Sequence, residues 1–182
     1  MHVVALDLSV KSTGFACWQD GQAKPVSGKW ELAPSLEWAG RAFVRLQRNL
    51  MDLHRVTPIT DIIYEEPANM AVFAKMNSSD VPFALIGLAA HADSFAEAIG
   101  CKVRSAHQAK WRRHYLGKLP RGEKSKSLKQ YAMDRCRQLG LEPAGHDEAE
   151  AIGLLTYYMN LCRVTAPWEA NEILRPPLAA VA

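Results

Sequence analysis

Apolar and polar positions divide this chain into short strands first and helices later. Residues 3–8 form an almost unbroken apolar run with one acid, Asp7, near its end, as in a strand buried on both faces. Residues 14–18 predict a second strand, and Asp20-Gly21 is a good hairpin turn. Residues 26–32 place Val26, Gly28, Trp30 and Leu32 on one side of a third strand. Pro34-Ser35 then opens a helix in which Leu36, Ala39, Phe43, Leu46, Leu50 and Leu53 share one face. Arg41, Arg45 and Arg48 lie off that face and meet water. Residues 62–65 predict a fourth strand, stopped by Pro67. Ser78 and Ser79 are candidate caps for a helix to about residue 98, with Gly100 past its end. Residues 101–105 give a fifth strand. Helices follow at about 107–116, 124–139 and 147–162, and Gly140 suits the end of the middle one.

Short turns let the first three strands form an antiparallel meander. The later strands need helical crossovers and so pair in parallel. The expectation is an α/β fold, a mixed five-stranded sheet flanked by helices, over residues 1–165. A tail at 166–182, with Pro167, Pro176 and Pro177, is expected to be loosely ordered.

Composition adds limits. The chain has 182 residues, 48% of them apolar, enough to bury one core without disulfides or structural metals. No apolar run is long enough to cross a bilayer, and the N-terminus lacks signal-peptide features, so a cytoplasmic protein is expected. Cys17, Cys101, Cys136 and Cys162 are scattered and read as buried reduced thiols, not a zinc site. Charge is uneven. Between Lys102 and Lys129 stand ten Lys or Arg residues and one acid, Glu123. That stretch carries +9 in a chain of net charge +3, which leaves −6 for the rest. Such a block points to a polyanion partner.

Acids gather at the ends of predicted elements. Asp7 ends the first strand, Glu65 and Glu66 the fourth, and Asp147, Glu148 and Glu150 open the last helix. Asp147 and Glu150, three apart, share a helix face, and Glu148 is turned away by roughly 100°. Each feature alone has a bland reading: helix dipoles favour acids in the first turn, an Asp often turns a strand, and Glu-Glu-Pro is a common surface ending. The combination is more specific. If the first and fourth strands are neighbours, Asp7 and Glu65 lie side by side. Two unit charges about 4 Å apart repel by roughly 4 kcal/mol at an effective dielectric near 20. A divalent cation removes that repulsion, and oxygen-only ligands favour Mg²⁺ or Mn²⁺.

These residues resemble a known family. Ala5-Leu6-Asp7-Leu8-Ser9-x-x-Ser12-Thr13-Gly14 resembles the first motif of the RuvC family of Holliday-junction resolvases. Ile63-Tyr64-Glu65-Glu66-Pro67 resembles the second, and His146-Asp147-Glu148-Ala149-Glu150-Ala151-Ile152-Gly153 the last. The resemblance spans about residues 3–161 and implies a ribonuclease H-like fold. It makes Asp7, Glu65, Asp147 and Glu150 a catalytic, metal-binding tetrad that holds two Mg²⁺ or Mn²⁺ ions about 4 Å apart across a scissile phosphate. The family usually ends this set with Asp, where Glu150 stands here. It often has Pro-Gly after the first acid, where Leu8-Ser9 stands, which resembles the shorter viral-type members. His146 is adjacent and reads as a proton-transfer aid or a solvent-facing residue. Glu66 and Glu148 read as outer residues.

The implied activity is metal-dependent cleavage of four-way and other branched DNA by a homodimer, with Phe83, Leu85, Ile86 and Leu88 on an apolar helix. Lys110, Arg112, Arg113, Lys118, Arg121, Lys124 and Lys126 are the candidate DNA contacts, neutralising phosphates without sequence choice. Lys124 or Ser125, at a helix start, offers backbone amides to a phosphate. Trp111 reads as core packing, and Phe73 as a candidate wedge in the junction. The rival readings are a nuclease for RNA–DNA hybrids, a non-catalytic DNA-binding relative, and a kinase-like ATPase. The last shares Asp7-x-Ser9 and Thr13-Gly14 but needs a second phosphate loop and a Gly-rich adenosine segment, neither of which is present.

Overall fold

The computed structural model describes residues 1–67, 80–119 and 122–170. Ser78, Ser79, Phe73, Arg121, Pro176 and Pro177 lie outside these described residues. The described residues hold five strands: β1 (His2–Asp7), β2 (Ser12–Gln19), β3 (Val26–Glu31), β4 (Asp61–Glu65) and β5 (Lys102–Ala106). They form one sheet in the order β3-β2-β1-β4-β5. β1 to β3 run antiparallel, while β4 joins β1 and β5 joins β4 in parallel. The expected mixed sheet is therefore present.

The described helices are α1 (Ala39–Val56), α2 (Asp80–Ile99), α3 (Gln108–Leu116), α4 (Ser125–Gln138) and α5 (His146–Leu161). Helix α1 starts later than Pro34-Ser35 suggests, because a 3-10 turn at Leu36–Trp38 precedes it. Ala42, Leu46 and Leu50 are its buried stripe, with Phe43 and Leu53 half-buried beside them. Arg45 is exposed yet also donates to the carbonyls of Glu31 and Leu32, pinning α1 to the end of β3. Gly140 takes a φ of +73° just past α4, a conformation that glycine adopts without steric cost.

Two cores cover the two faces of the sheet. Val4, Leu6, Cys17, Ile62 and Tyr64 pack with α1 and α2. Val3, Ala5, Ala16, Trp18 and Ile63 pack with α3, α4 and α5. Helix α5 is the most enclosed: Ala149 through Thr156 are all buried. Its small residues Ala149, Ala151 and Gly153 let it approach the sheet on one side and Trp111 and Tyr115 on the other.

Two expectations change. Residues 166–170 are not loose. Ala166 and Trp168 are buried in the second core, and Trp168 Nε1 donates to Thr156 Oγ1 at 3.0 Å. The prolines hid an indole that fills space beside α5. The cysteines are all free, but only Cys17 and Cys136 are buried, and Cys162 is exposed just past α5. Among the described residues no helix is long and apolar enough to cross a membrane.

Candidate active site

Side chains alternate between the two faces of a strand. Val3 and Ala5 point to the α5 side, so Asp7 follows them there. On β4, Ile63 points to the same side, and Glu65 follows it. Leu6 pairs with Tyr64 in the parallel register, which sets Asp7 beside Glu65 at the ends of adjacent strands.

Asp147 reaches this place because a glycine lets it. Asp7 lies opposite Gly14 on β2. A Cβ on Gly14 would stand 2.0 Å from the carbonyl oxygen of Asp147 and 2.3 Å from its carbon. The first turn of α5 thus rests directly on strand backbone. Glu148 fixes the same turn from outside, accepting from Ser27 Oγ at 2.7 Å and from the Ala144 N–H at 2.8 Å. Its role is a tie between α5 and β3. Glu66 and His146 are exposed.

Three of the four acids have their own donors. Glu65 accepts from Gln108 Nε2 at 2.7 Å and from Trp111 Nε1 at 2.8 Å. Glu150, 2% exposed, pairs with the buried guanidinium of Arg112. Lys129 Nζ stands 3.4 Å from both Asp147 and Glu150, which confirms that these two share a face. None of these bonds falls on Asp7. Desolvation, then Glu150 and Glu65, push its carboxyl well above the usual range, and Lys129 offsets only part of this. Burial also raises Glu65, against the lowering effects of Trp111, Arg112 and Gln108. Lys129 is itself desolvated, yet Glu150, Asp7 and Asp147 hold its ammonium above the ordinary value.

The four acids therefore share one electrostatic site. Their chemistry fits a hard divalent cation: every donor is a carboxylate oxygen, and Asp7 lacks a counter-charge of its own. As the side chains stand, no three His, Cys, Asp or Glu side chains among the described residues gather around one point. The cause is visible. Glu65 and Glu150 are drawn to α3, and Asp147 leans to Lys129.

The basic residues divide into two kinds. Lys110, Arg113, Lys118, Lys124 and Lys126 are exposed on α3, the loop after it and the start of α4. Arg112 is instead 7% exposed and turned to Glu150. Trp111 is core, as expected, but its indole N–H also serves Glu65. No motif in a single sequence marks Gln108, Lys129 or the inward turn of Arg112. Helical spacing alone was the available clue, since Gln108 and Arg112, four apart, present one stripe of α3 to the acids.

Neither a family model nor a curated protein sequence matches the chain. Solved structures do. RuvC from Thermus thermophilus, in complex with a Holliday junction substrate, superposes with a TM-score of 0.61 at 14% identity, covering 98% of this chain and 99% of that one. The fowlpox virus Holliday junction resolvase gives 0.55 at 15%, with 89% and 99% covered. The yeast mitochondrial Holliday junction resolvase gives 0.51 at 12%, with 88% and 84% covered. From its first strand to its last described helix, the chain has the ribonuclease H-like fold in the form shared by bacterial RuvC and the viral and mitochondrial resolvases.

Proposed function

We propose that this protein is a metal-dependent endonuclease that cuts four-way DNA junctions, and other branched DNA of similar shape. The observation that carries the reading is the convergence of Asp7, Glu65, Asp147 and Glu150 on one side of the sheet, next to a basic surface. The shared fold supports it. Asp7, Glu65, Asp147 and Glu150 are the residues that would hold Mg²⁺ or Mn²⁺, two per site. A bound cation of this kind supplies Lewis-acid activation of water and neutralises phosphate charge.

The chain's own residues have distinct tasks. Asp7, whose carboxyl is raised by burial and then by Glu150 and Glu65, would gain from a nearby cation. Trp111 and Gln108 orient Glu65. Arg112 and Lys129 hold Glu150 and Asp147 in place and balance part of their charge. The exposed Lys110, Arg113, Lys118, Lys124 and Lys126 meet the DNA backbone, with binding that weakens steeply as salt rises. Two symmetric nicks need two sites, which a twofold dimer supplies. Phe83 and Ile86 on α2 are 62% and 39% exposed and suit that contact, whereas Leu88 is buried in the core. A strictly monomeric protein in sedimentation would remove the dimer.

The test is cleavage of a labelled immobile four-way junction in Mg²⁺, Mn²⁺ or EDTA, comparing the parent with Asp7→Asn. Paired nicks that need metal and vanish in the variant are expected. A junction that is bound and never cut sinks the resolvase reading, and preferential cutting of an RNA–DNA hybrid replaces it.

A further inference from the structure

Beside the acids, on the α3 side, lies a cavity of about 490 Å³. It sits between α3 and the start of α4, and Gln108, Arg112, Arg113, Lys118, Leu119 and Leu128 are among its walls. Its size is that of sites that enclose small organic molecules. Its chemistry is mixed. Arg113 and Lys118 are exposed cations at the mouth, while Leu119 and Leu128 offer apolar surface. Arg112 is more than nine-tenths buried, and its Nε has no hydrogen-bond partner among the described residues. A buried guanidinium N–H left without an acceptor is costly. The Nε itself is sealed from the cavity, so an anion there meets the exposed Arg113 and Lys118, with the buried Arg112 charge beneath them.

Two of these walls also touch the acids. Gln108 donates to Glu65, and Arg112 pairs with Glu150. A ligand here therefore lies next to the reacting centre. An anion joined to a flat apolar ring matches cationic mouth and leucine walls together. A duplex cannot enter a cavity of this size, so the ring must be unstacked.

We infer that this cavity receives one unpaired nucleotide of the substrate strand, its base against Leu119 and Leu128 and its phosphate toward Arg113 and Lys118. The identity of the strand rests on the nuclease reading, but the nucleotide chemistry of the cavity does not.

Two arms test it, both in EDTA with the full chain. In the first, dTMP, inorganic phosphate and thymidine are each titrated while backbone amides are followed by NMR. Saturable dTMP shifts at Ala109, Leu119 and Leu128 are expected, with phosphate alone at least about tenfold weaker. Ala109→Trp, which fills the cavity, and the pair Arg113→Ala with Lys118→Ala should each abolish them, with Tm confirming that the variants fold. Equal binding of phosphate and dTMP, or dTMP shifts that survive both variants, overturns the proposal. In the second arm, a junction carries 2-aminopurine beside the crossover. Its fluorescence should rise when the parent saturates it and stay low when Ala109→Trp does. A rise of equal size with Ala109→Trp overturns the substrate-strand assignment. If dTMP binds in the cavity and no junction is bound, the nuclease reading and the strand assignment fall together, while the free-nucleotide site stands.

Discussion

Replacing Gly14 by alanine tests the packing that brings the acids together. The new Cβ would meet the Asp147 carbonyl oxygen at 2.0 Å, where ordinary contact begins at 3.4 Å. Both partners are backbone, so no side chain can swing aside. The first turn of α5 must retreat by about 1.4 Å, or β2 must bend. Overpacking of this kind costs about 1–3 kcal/mol and sometimes more. At the upper end, a domain of this size loses roughly 6–12 °C in Tm. The same retreat carries Asp147 away from Asp7, and a misplacement of about 1 Å lowers a rate by about 10²-fold. Urea unfolding and junction cleavage, run on the same preparation, read the two effects. Cleavage should fall by about two orders of magnitude even at temperatures where the variant is fully folded. A Gly14→Ala protein with parental stability and parental cleavage would refute the direct contact between α5 and β2.

Three further outcomes follow from the site and core. Arg112→Met leaves the buried Glu150 with Lys129 as its remaining counter-charge and should cost up to about 3–5 kcal/mol, whereas Arg112→Met with Glu150→Gln recovers most of that; a double variant as unstable as the single would mean the pair does not carry the effect. Asp7 has a folded pKa raised above the 3.8 of a free aspartate. Its contribution to stability is full below that value and is lost as pH rises through the folded pKa. In EDTA, Tm should therefore fall as pH rises from about 4 toward neutrality, less so in Asp7→Asn, which should be the more stable protein at pH 7; an Asn variant less stable than the parent there contradicts the electrostatics. Trp168→Ala opens a cavity beside α5 and should cost about 3–5 kcal/mol, and an unchanged urea midpoint would show that Trp168 does not seal the core.

Much of this architecture was legible in the sequence because it depends on period and order. Strand alternation told which face Asp7 and Glu65 share once β1 and β4 are neighbours, and helical spacing told that Asp147 and Glu150 share a face. The alternation could not tell that Gly14 is a seat for α5, since that requires knowing which helix crosses β2. Nor could a count of basic residues separate Arg112 from Arg113, adjacent in sequence yet facing a buried carboxylate and solvent respectively. Trp168 was hidden for a related reason: prolines on either side of it predict irregular backbone, and irregular backbone can still be tightly packed.

The last strand of the sheet has a different significance. Among the described residues β5 has no neighbour on its outer side, and four of its five residues are exposed, among them Lys102, Val103 and Arg104. An unpaired strand with open amides and carbonyls is a template on which another chain can add, and charges there oppose it. Lys102 and Arg104 put positive charge along this edge. Like charges there oppose edge-to-edge joining of two copies of the sheet, and neutralising them is expected to promote self-association without loss of the fold.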